Sequence, residues 1–386
     1  MDFNHTEEQT ALADSVARFG ERDYDWDSRR KLARSPEGYS PANWATFAEL
    51  GWFGAGLSEE EGGFGGGPEG TAILFEGFGR MLLLEPVMAH AVLALQALAG
   101  LPGNERRTDL VEQAVMGDPV MALAHDEAEG WGLVSWVGTR AGQAGGAWRL
   151  TGGKIRVPGG QAAGQFLVSA RLSGSIDDTD GIGLFLVDGE AAGLTRKGYR
   201  MVDNHLVADL ALDGVEGELL AQGPDALAAL TRATHHGIAA ACAEMLGAMD
   251  AALWQTRDYL LTRKQFGTTL NNFQALQHRM ADMLIEVELS RSMLFQALAA
   301  MAGPEGERDR ALAAAKVAIS NSGIFVTRNA IQLHGGIGMT EELMVGHFYK
   351  RVWVLASLLG NADHHLDQFM DHTPIEPVPA DIAALG

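Results

Sequence analysis

The chain has one cysteine in 386 residues, Cys242, so no disulfide framework is available to it. That cysteine sits in a run of small residues, 239–247, where a buried and inert thiol is expected rather than a nucleophile. Basic residues are also scarce: 29 Lys and Arg stand against 50 Asp and Glu, a formal charge of −21. A surface that acidic argues against nucleic acid or an anionic membrane as partner. No clean membrane span is legible, because the stretch that reads as most apolar, residues 73–98, is broken by Glu76, Arg80, Glu85 and His90. Residues 1–9 lack the basic and apolar regions of an export signal. These absences lead to the expectation of a soluble, cytoplasmic protein in a reducing compartment.

Two glycine- or acid-rich stretches also lack the context that would make them sites. SEEEGGFGGG at 58–67 has no strand before it, so it reads as a flexible loop and not a dinucleotide fingerprint. SGSIDDTDG at 173–181 does not have EF-hand spacing, so a solvated hairpin loop is expected there, not a calcium site.

What the chain does have is 47% apolar residues over a length that calls for two or three domains. Residues 1–117 carry apolar residues at three- and four-residue spacing, predicting helices over 7–19, 41–50, 70–84 and 87–99. From 118 to 222 the pattern becomes short alternating or apolar runs, 120–124, 148–157, 166–170, 183–187 and 207–212, which predicts a small antiparallel β domain. Residues 223–386 return to helical spacing, with runs over 226–262, 273–302, 308–333 and 341–370 that predict a four-helix bundle. Leu276, Met280, Met283, Val287 and Leu294 mark a core-facing stripe on its second helix. The tail, 374–386, reads as a surface extension.

Three segments of the bundle carry chemistry. QLHGGIGMTEELM (332–344) brings Gly335, Gly336 and Gly338 before Thr340, Glu341 and Glu342, which resemble a helix start and hence an anion site. RKQFG (263–267) closes the first long helix, and NFQALQHRMAD (272–282) opens the next. Together with LLGNADHHL (358–366), these segments resemble the C-terminal signatures of the acyl-CoA dehydrogenases, and the resemblance covers essentially the whole chain. Within that family the ending GNADHHL looks most like the small subunit of pimeloyl-CoA dehydrogenase and its relatives.

The resemblance implies an α+β fold of N-terminal helices, a middle β domain and a C-terminal four-helix bundle. It also implies FAD as cofactor, an acyl-CoA substrate, and an electron-transfer flavoprotein or similar acceptor. In such enzymes a carboxylate removes the α-proton and the flavin accepts hydride from the β-carbon. The residues that match the family's pyrophosphate- and adenosine-binding groups are Arg263, Phe266, Gln274, Gln332, Gly335 and Gly336, and in the family these serve the FAD of a neighbouring subunit. The loop at 58–67 resembles the family's PEEYGG loop near the acyl-chain pocket.

Departures cluster in the other half of the flavin site. Where the family has TEPxAGSD and KxWITNG, this chain reads HDEAEG (125–130) and KIRVPGG (154–160). Arg156 stands in place of the Trp that stacks on the flavin ring, and Pro158 offers neither a hydroxyl nor an N–H. Gly360 occupies the place of the catalytic Glu, and Gly237 or its neighbours occupy the alternative place some members use. His364, His365 and His235 are the substitute bases within reach of these positions, although adjacent helical residues project about 100° apart and at most one of the pair His364–His365 can face a pocket. A metal site made from Asp363, His364 and His365 is not expected. The neighbour-serving half is kept and the self-serving half is altered, so the resemblance implies the half-site subunit of a heterotetramer completed by a paralogous large subunit. The alternatives are a self-sufficient homo-oligomer with an unconventional base, and a non-catalytic thioester-binding or scaffold protein. Arg156 and Arg171 are candidates to meet a distal carboxylate on the substrate.

Overall fold

The computed structural model describes residues 5–130 and 132–373, so the expectation for the tail lies outside the described residues. The chain begins with α1 (Glu7–Arg22), whose start is fixed by reciprocal capping between Thr6 and Gln9. Then come α2 (Trp26–Leu32), α3 (Pro41–Glu49), α4 (Gly67–Met81), a wide π-type segment (Met88–Ala94) running into α5 (Leu95–Ala99), and α6 (Glu105–Met116). The sequence pattern missed α2, which is only 7 residues long, and α6, which buries little beyond Leu110, Val111 and Ala114. The expected loop at 58–67 contains a 3-10 turn, Glu59–Glu61, in which Ser58 and Glu61 cap each other and Glu61 pairs with Arg232 at 2.5 Å.

Seven strands follow: β1 (Met121–Ala124), β2 (Arg140–Ala144), β3 (Ala147–Pro158), β4 (Gln165–Arg171), β5 (Ile182–Asp188), β6 (Leu194–Arg200) and β7 (Leu206–Gln222). Pairing runs β4–β5–β7–β3–β2 and back to β4, which closes a small barrel, with β1 against β4 and β6 against β7. Most pairs are antiparallel, but β4 runs parallel to β1, a register allowed by the long β2–β3 excursion between them, and meets β2 in parallel at Arg140 and Arg171. The 17-residue β7 serves three partners, and its inward positions Ala208, Leu210, Leu212 and Val215 enter a core shared with Phe166, Val168 and Phe185. Sequence pattern missed β2 and β6, whose positions are largely exposed and carry no apolar alternation.

The 173–181 segment is the hairpin joining β4 to β5, and it is organised around Arg171. This guanidinium is fully buried and donates to the carbonyls of Ser135, Ile176, Asp178 and Asp180 at 2.6–2.8 Å. Arg171 is therefore consumed in holding a loop and is unavailable to a substrate carboxylate, contrary to the expectation above.

The last section opens with α7 (Pro224–Thr262), followed by the short hairpin β8–β9 (Lys264–Gln265, Thr268–Thr269), α8 (Gln274–Ala300), α9 (Glu305–His334), α10 (Val345–Ser357) and α11 (Ala362–Asp371). Among these, α7 is long and apolar enough to cross a membrane, but 89% of its most apolar stretch is buried inside the fold. It is the central helix: residues 237–250 are all buried, and Cys242 is among them with its thiol pushed up to about 12 by burial. α4 packs on α7 so closely that a Cβ on Gly79 would lie 2.0 Å from the Glu244 carbonyl, and one on Gly247 would lie 1.9 Å from that of Glu76. Two glycines therefore join the N-terminal helices and the bundle into one continuous apolar core.

Where the layers meet, four charged groups are buried together. Arg351 of α10 makes a bidentate pair with Glu244 of α7 at 2.6 and 2.8 Å, and reaches Asp203 of the β6–β7 connection at 2.9 Å. Arg29 of α2 donates to the backbone carbonyls of Leu82 at 2.7 Å and Asp203 at 3.2 Å. Burial alone would raise the Asp203 carboxyl, yet His205 and Arg351 hold it well below the usual carboxylate range. Arg351→Met would strand two buried carboxylates, and we expect a loss of about 3–5 kcal/mol of stability in urea unfolding; a loss below about 1 kcal/mol would show the network to be peripheral.

Five histidines, three buried and two half-buried, give a second expectation. His90, His125, His236, His347 and His365 are pushed down by burial to about 4, 3, 3, 4 and 4, from an ordinary 6.5. The unfolded chain then binds protons that the fold refuses, so stability is fully present above pH 6.5 and falls as the pH drops from there toward about 4. Urea unfolding across that window should show the slope, at most about 1.4 kcal/mol per pH unit for each histidine. A flat profile would mean these rings are protonated in the fold.

Candidate functional site

The expected fourth bundle helix over 341–370 is two helices, α10 and α11, separated by an elbow at residues 358–361. Leu359 (φ 57°) and Gly360 (φ 99°) both adopt left-handed backbone there, and Asn361 caps α11 by accepting from the His364 N–H at 2.9 Å. Helical spacing alone does not show this break, because the apolar pattern continues across it. The expected helix start at Thr340 is also corrected: Gly335–Met339 forms a 3-10 turn, the Thr340 hydroxyl donates to the Ile337 carbonyl at 2.8 Å, and α10 starts at Val345.

The elbow forms one wall of a cleft of about 490 Å³ where all three parts of the chain meet. Leu84, Pro86 and Met88 come from the N-terminal helices, Arg156, Pro158 and Val207 from the barrel, and Val354, Leu358 and Leu359 from α10 and the elbow. Arg156, Pro158, Gly360 and His364, singled out from sequence, therefore converge in one place. The polar groups missed by that reading are Glu37, Asp126, Glu127, His205 and Asp367. Two of them lie in HDEAEG, where the departure from the family motif was the available signal.

Glu127 has a structural role at the cleft edge. Its carboxylate accepts from Gly138 N, Thr139 N and the fully buried Lys154 Nζ at 2.7–2.9 Å, and despite burial these contacts hold it below the usual range. Lys154 also donates to Ser169 Oγ at 2.9 Å and to the His125 carbonyl at 3.1 Å, which fixes the strand end that carries Asp126. The Asp126 carboxyl is raised by burial, with Arg156 acting against that shift. Arg156 sits at a bulge in β3 with φ 49°, its backbone N–H bonded to Asp209 at 2.9 Å and its side chain exposed at the cleft. A left-handed Arg at the ring-stacking position does not reproduce a flat aromatic platform, and Pro158 beside it has no N–H to donate. The residues present do not fit an isoalloxazine ring in the way the family motif does.

Glycine stands at both positions that the resemblance gives to a catalytic carboxylate, and neighbouring side chains crowd each of them. A Cβ on Gly360 would meet His364 Cδ2 at 2.5 Å and His365 Nε2 at 2.9 Å, on a backbone that L side chains rarely adopt. A Cβ on Gly237 would meet Leu359 Cδ1 at 2.5 Å and Leu93 Cδ2 at 2.8 Å. The elbow thus places Leu359 over one position and the His364–His365 pair over the other. Of the three candidate histidines, His364 lines the cleft, its imidazole lowered by burial with Asp367 acting against that. His365 is 1% exposed, with Nε2 against the Leu359 carbonyl at 2.9 Å, and belongs to the elbow itself. His235 lies outside the cleft, 3.2 Å from Asp309 where α7 meets α9.

Arg263, Phe266, Gln274, Gln332, Gly335 and Gly336 are all exposed, and none of them lines the cleft. Phe266, 90% exposed at the tip of the β8–β9 hairpin, stands edge-on to Phe273 with ring centres 6.0 Å apart. Ile337 and Met339 extend the apolar surface beside the Gly335 turn, at 38% and 77% exposure. The six residues form an outward-facing set.

The chain matches the N-terminal domain of the acyl-CoA dehydrogenases over residues 6–117 and the C-terminal domain over residues 227–373. It is 30% identical over 311 residues to the probable acyl-CoA dehydrogenase FadE25 of Mycobacterium tuberculosis, covering 76% of this chain and 77% of that one. It is also 27% identical over 383 residues to acyl-CoA dehydrogenase FadE27 of the same organism, covering 95% of this chain and 97% of the relative. Among solved structures, a variant of the Tcur3481-Tcur3483 steroid ACAD superposes with TM-score 0.84 at 31% identity, covering 98% of this chain and 99% of that chain. The ChsE4-ChsE5 complex of M. tuberculosis gives 0.86 at 26% identity, covering 97% and 100%. The chain belongs to the acyl-CoA dehydrogenase family, FAD-dependent oxidoreductases whose members share this fold of helices, β domain and helical bundle.

Because Gly360 has left-handed backbone and is crowded by His364 and His365, Gly360→Glu should disturb the elbow. We expect about 1–3 kcal/mol of destabilisation from the backbone conformation and the displaced histidines, measured by thermal unfolding. Unchanged stability would show that the elbow yields to a side chain.

Proposed function

We propose that this chain is the half-site subunit of a heteromeric acyl-CoA dehydrogenase. In this reading it assembles two-plus-two with a paralogous large subunit that carries the catalytic Glu and the flavin ring site. The observation that carries the reading is the crowded glycine at each of the two base positions, Gly237 and Gly360, combined with an intact outward-facing set at Arg263, Phe266, Gln274, Gln332, Gly335 and Gly336. Arg263 supplies a guanidinium suited to a pyrophosphate, and the paired glycines let backbone approach it. The exposed apolar side chains beside them, Phe266, Ile337 and Met339, suit an interface with another subunit. Two of the similar solved structures are named for pairs of different chains, which supports a heteromeric assembly here.

The substrate acted on by the assembly is an acyl-CoA, and its electrons pass to an electron-transfer flavoprotein or similar acceptor. A bulky acyl group is favoured by the steroid activity named for the Tcur3481-Tcur3483 relative, and a medium-chain dicarboxylic one by the pimeloyl-type ending GNADHHL. A second reading, a self-sufficient homo-oligomer, rests on His364, the imidazole that faces the cleft beside Gly360.

The two readings separate on the purified protein. The lone chain should show no flavin absorbance, and co-expression with its large subunit should give a yellow complex that bleaches with acyl-CoA. In that complex Arg263→Ala should raise the FAD dissociation constant roughly ten- to a hundredfold, the worth of one lost charge-assisted contact. A yellow lone chain that bleaches with acyl-CoA would overturn the half-site reading and make His364 the residue to mutate.

A further inference from the structure

Lys316 lies in the middle of α9 with 0% of its surface exposed. Among the described residues no carboxylate pairs with it. Its Nζ donates to the Leu355 carbonyl in the last turn of α10 at 2.6 Å and to the carbonyl of Leu358, the first residue of the elbow, at 2.7 Å. The negative end of a helix dipole suits an amine there; the Leu355 carbonyl also accepts from the Leu358 N–H at 3.2 Å, so Lys316 joins the last turn of the helix to the residue that follows it. Burial nevertheless makes this nitrogen expensive: it pulls the amine down to about 8, with only Cys242 acting against the shift. A methionine would fill nearly the same volume without that cost. The nitrogen therefore does something a hydrocarbon cannot, and among the described residues its bonded partners are the Leu355 and Leu358 carbonyls, one on each side of the point where α10 ends.

We propose that Lys316 is the positioning residue of the cleft: by tying Leu355 and Leu358 it fixes the 358–361 elbow, keeping Leu359 over Gly237 and His364 against Gly360. From the far side His365 holds the Leu359 carbonyl and Asn361 caps α11, so the turn is gripped from both ends. The inference goes beyond the subunit assignment, because it concerns how the wall of the cleft is held whichever chain carries the base.

The test uses the full chain with Lys316→Met and Lys316→Arg, and needs neither flavin nor substrate, so it survives a failure of the half-site reading. In K316M, amides across 358–366 should exchange roughly tenfold faster while those of 237–250 keep their protection. The His364 imidazole, followed by NMR with Asp367 and His365 as its titrating neighbours, should rise toward the ordinary histidine value as the elbow loosens. K316R, which keeps paired donors, should restore both. If K316M does not fold, protected elbow amides in K316R carry the proposal. It is overturned if K316M leaves elbow exchange and the His364 titration unchanged, if a folded K316R is as loose as K316M, or if both variants unfold globally, which would make Lys316 a general core residue.

Discussion

The buried pairing of Arg351 with Glu244 and Asp203 is the constraint on which the architecture depends. One guanidinium, 5% exposed, joins the last bundle helices to the central helix and to the barrel's β6–β7 connection, and Arg29 brings in the N-terminal helices through the Asp203 backbone. Each member is expensive to bury alone, and the cost is offset only while all are in place. Since Arg351 and His205 also line the cleft, the geometry of the site is set by the same contact that sets the domain arrangement.

Beyond that junction, the fold positions chemistry by exclusion. The elbow after α10 turns the chain so that Leu359 and His364 crowd the space a side chain at Gly237 or Gly360 would enter. The barrel contributes a bulged Arg156 where a flat ring would serve a flavin, and secures the neighbouring strand end through Lys154 and Glu127. The outward face of the bundle, by contrast, carries Arg263 and Phe266 exposed and away from the cleft. A cleft without a carboxylate at Gly237 or Gly360 and a surface directed outward are the two observations on which the proposed half-site role rests.

Much of this was legible in the sequence. Long helical periods and alternating strand runs located the helical, β and bundle regions, and the motifs at 263–267 and 332–344 pointed to the family. What stayed hidden was carried by groups with no pattern of their own. The elbow rests on φ at Leu359 and Gly360, and Leu359 gives no hint of a left-handed turn. β2 and β6 hide because exposed strands lack alternation, and Arg171 looked available because a strand Arg bonded to four loop carbonyls reads like any other strand Arg. His235, His364 and His365 were equivalent candidates in sequence, and only the fold separates the one facing the cleft from one holding the elbow and one paired with Asp309.

The central claim is most directly tested by the ratio of flavin to protein in the purified two-subunit complex, with each chain quantified separately. The account predicts one FAD for every pair of unlike chains, because this chain's own cleft lacks a ring platform while its outward face completes the partner's site. One FAD for every chain would contradict it, and would mean that the cleft bounded by Arg156 and Gly360 holds a flavin after all.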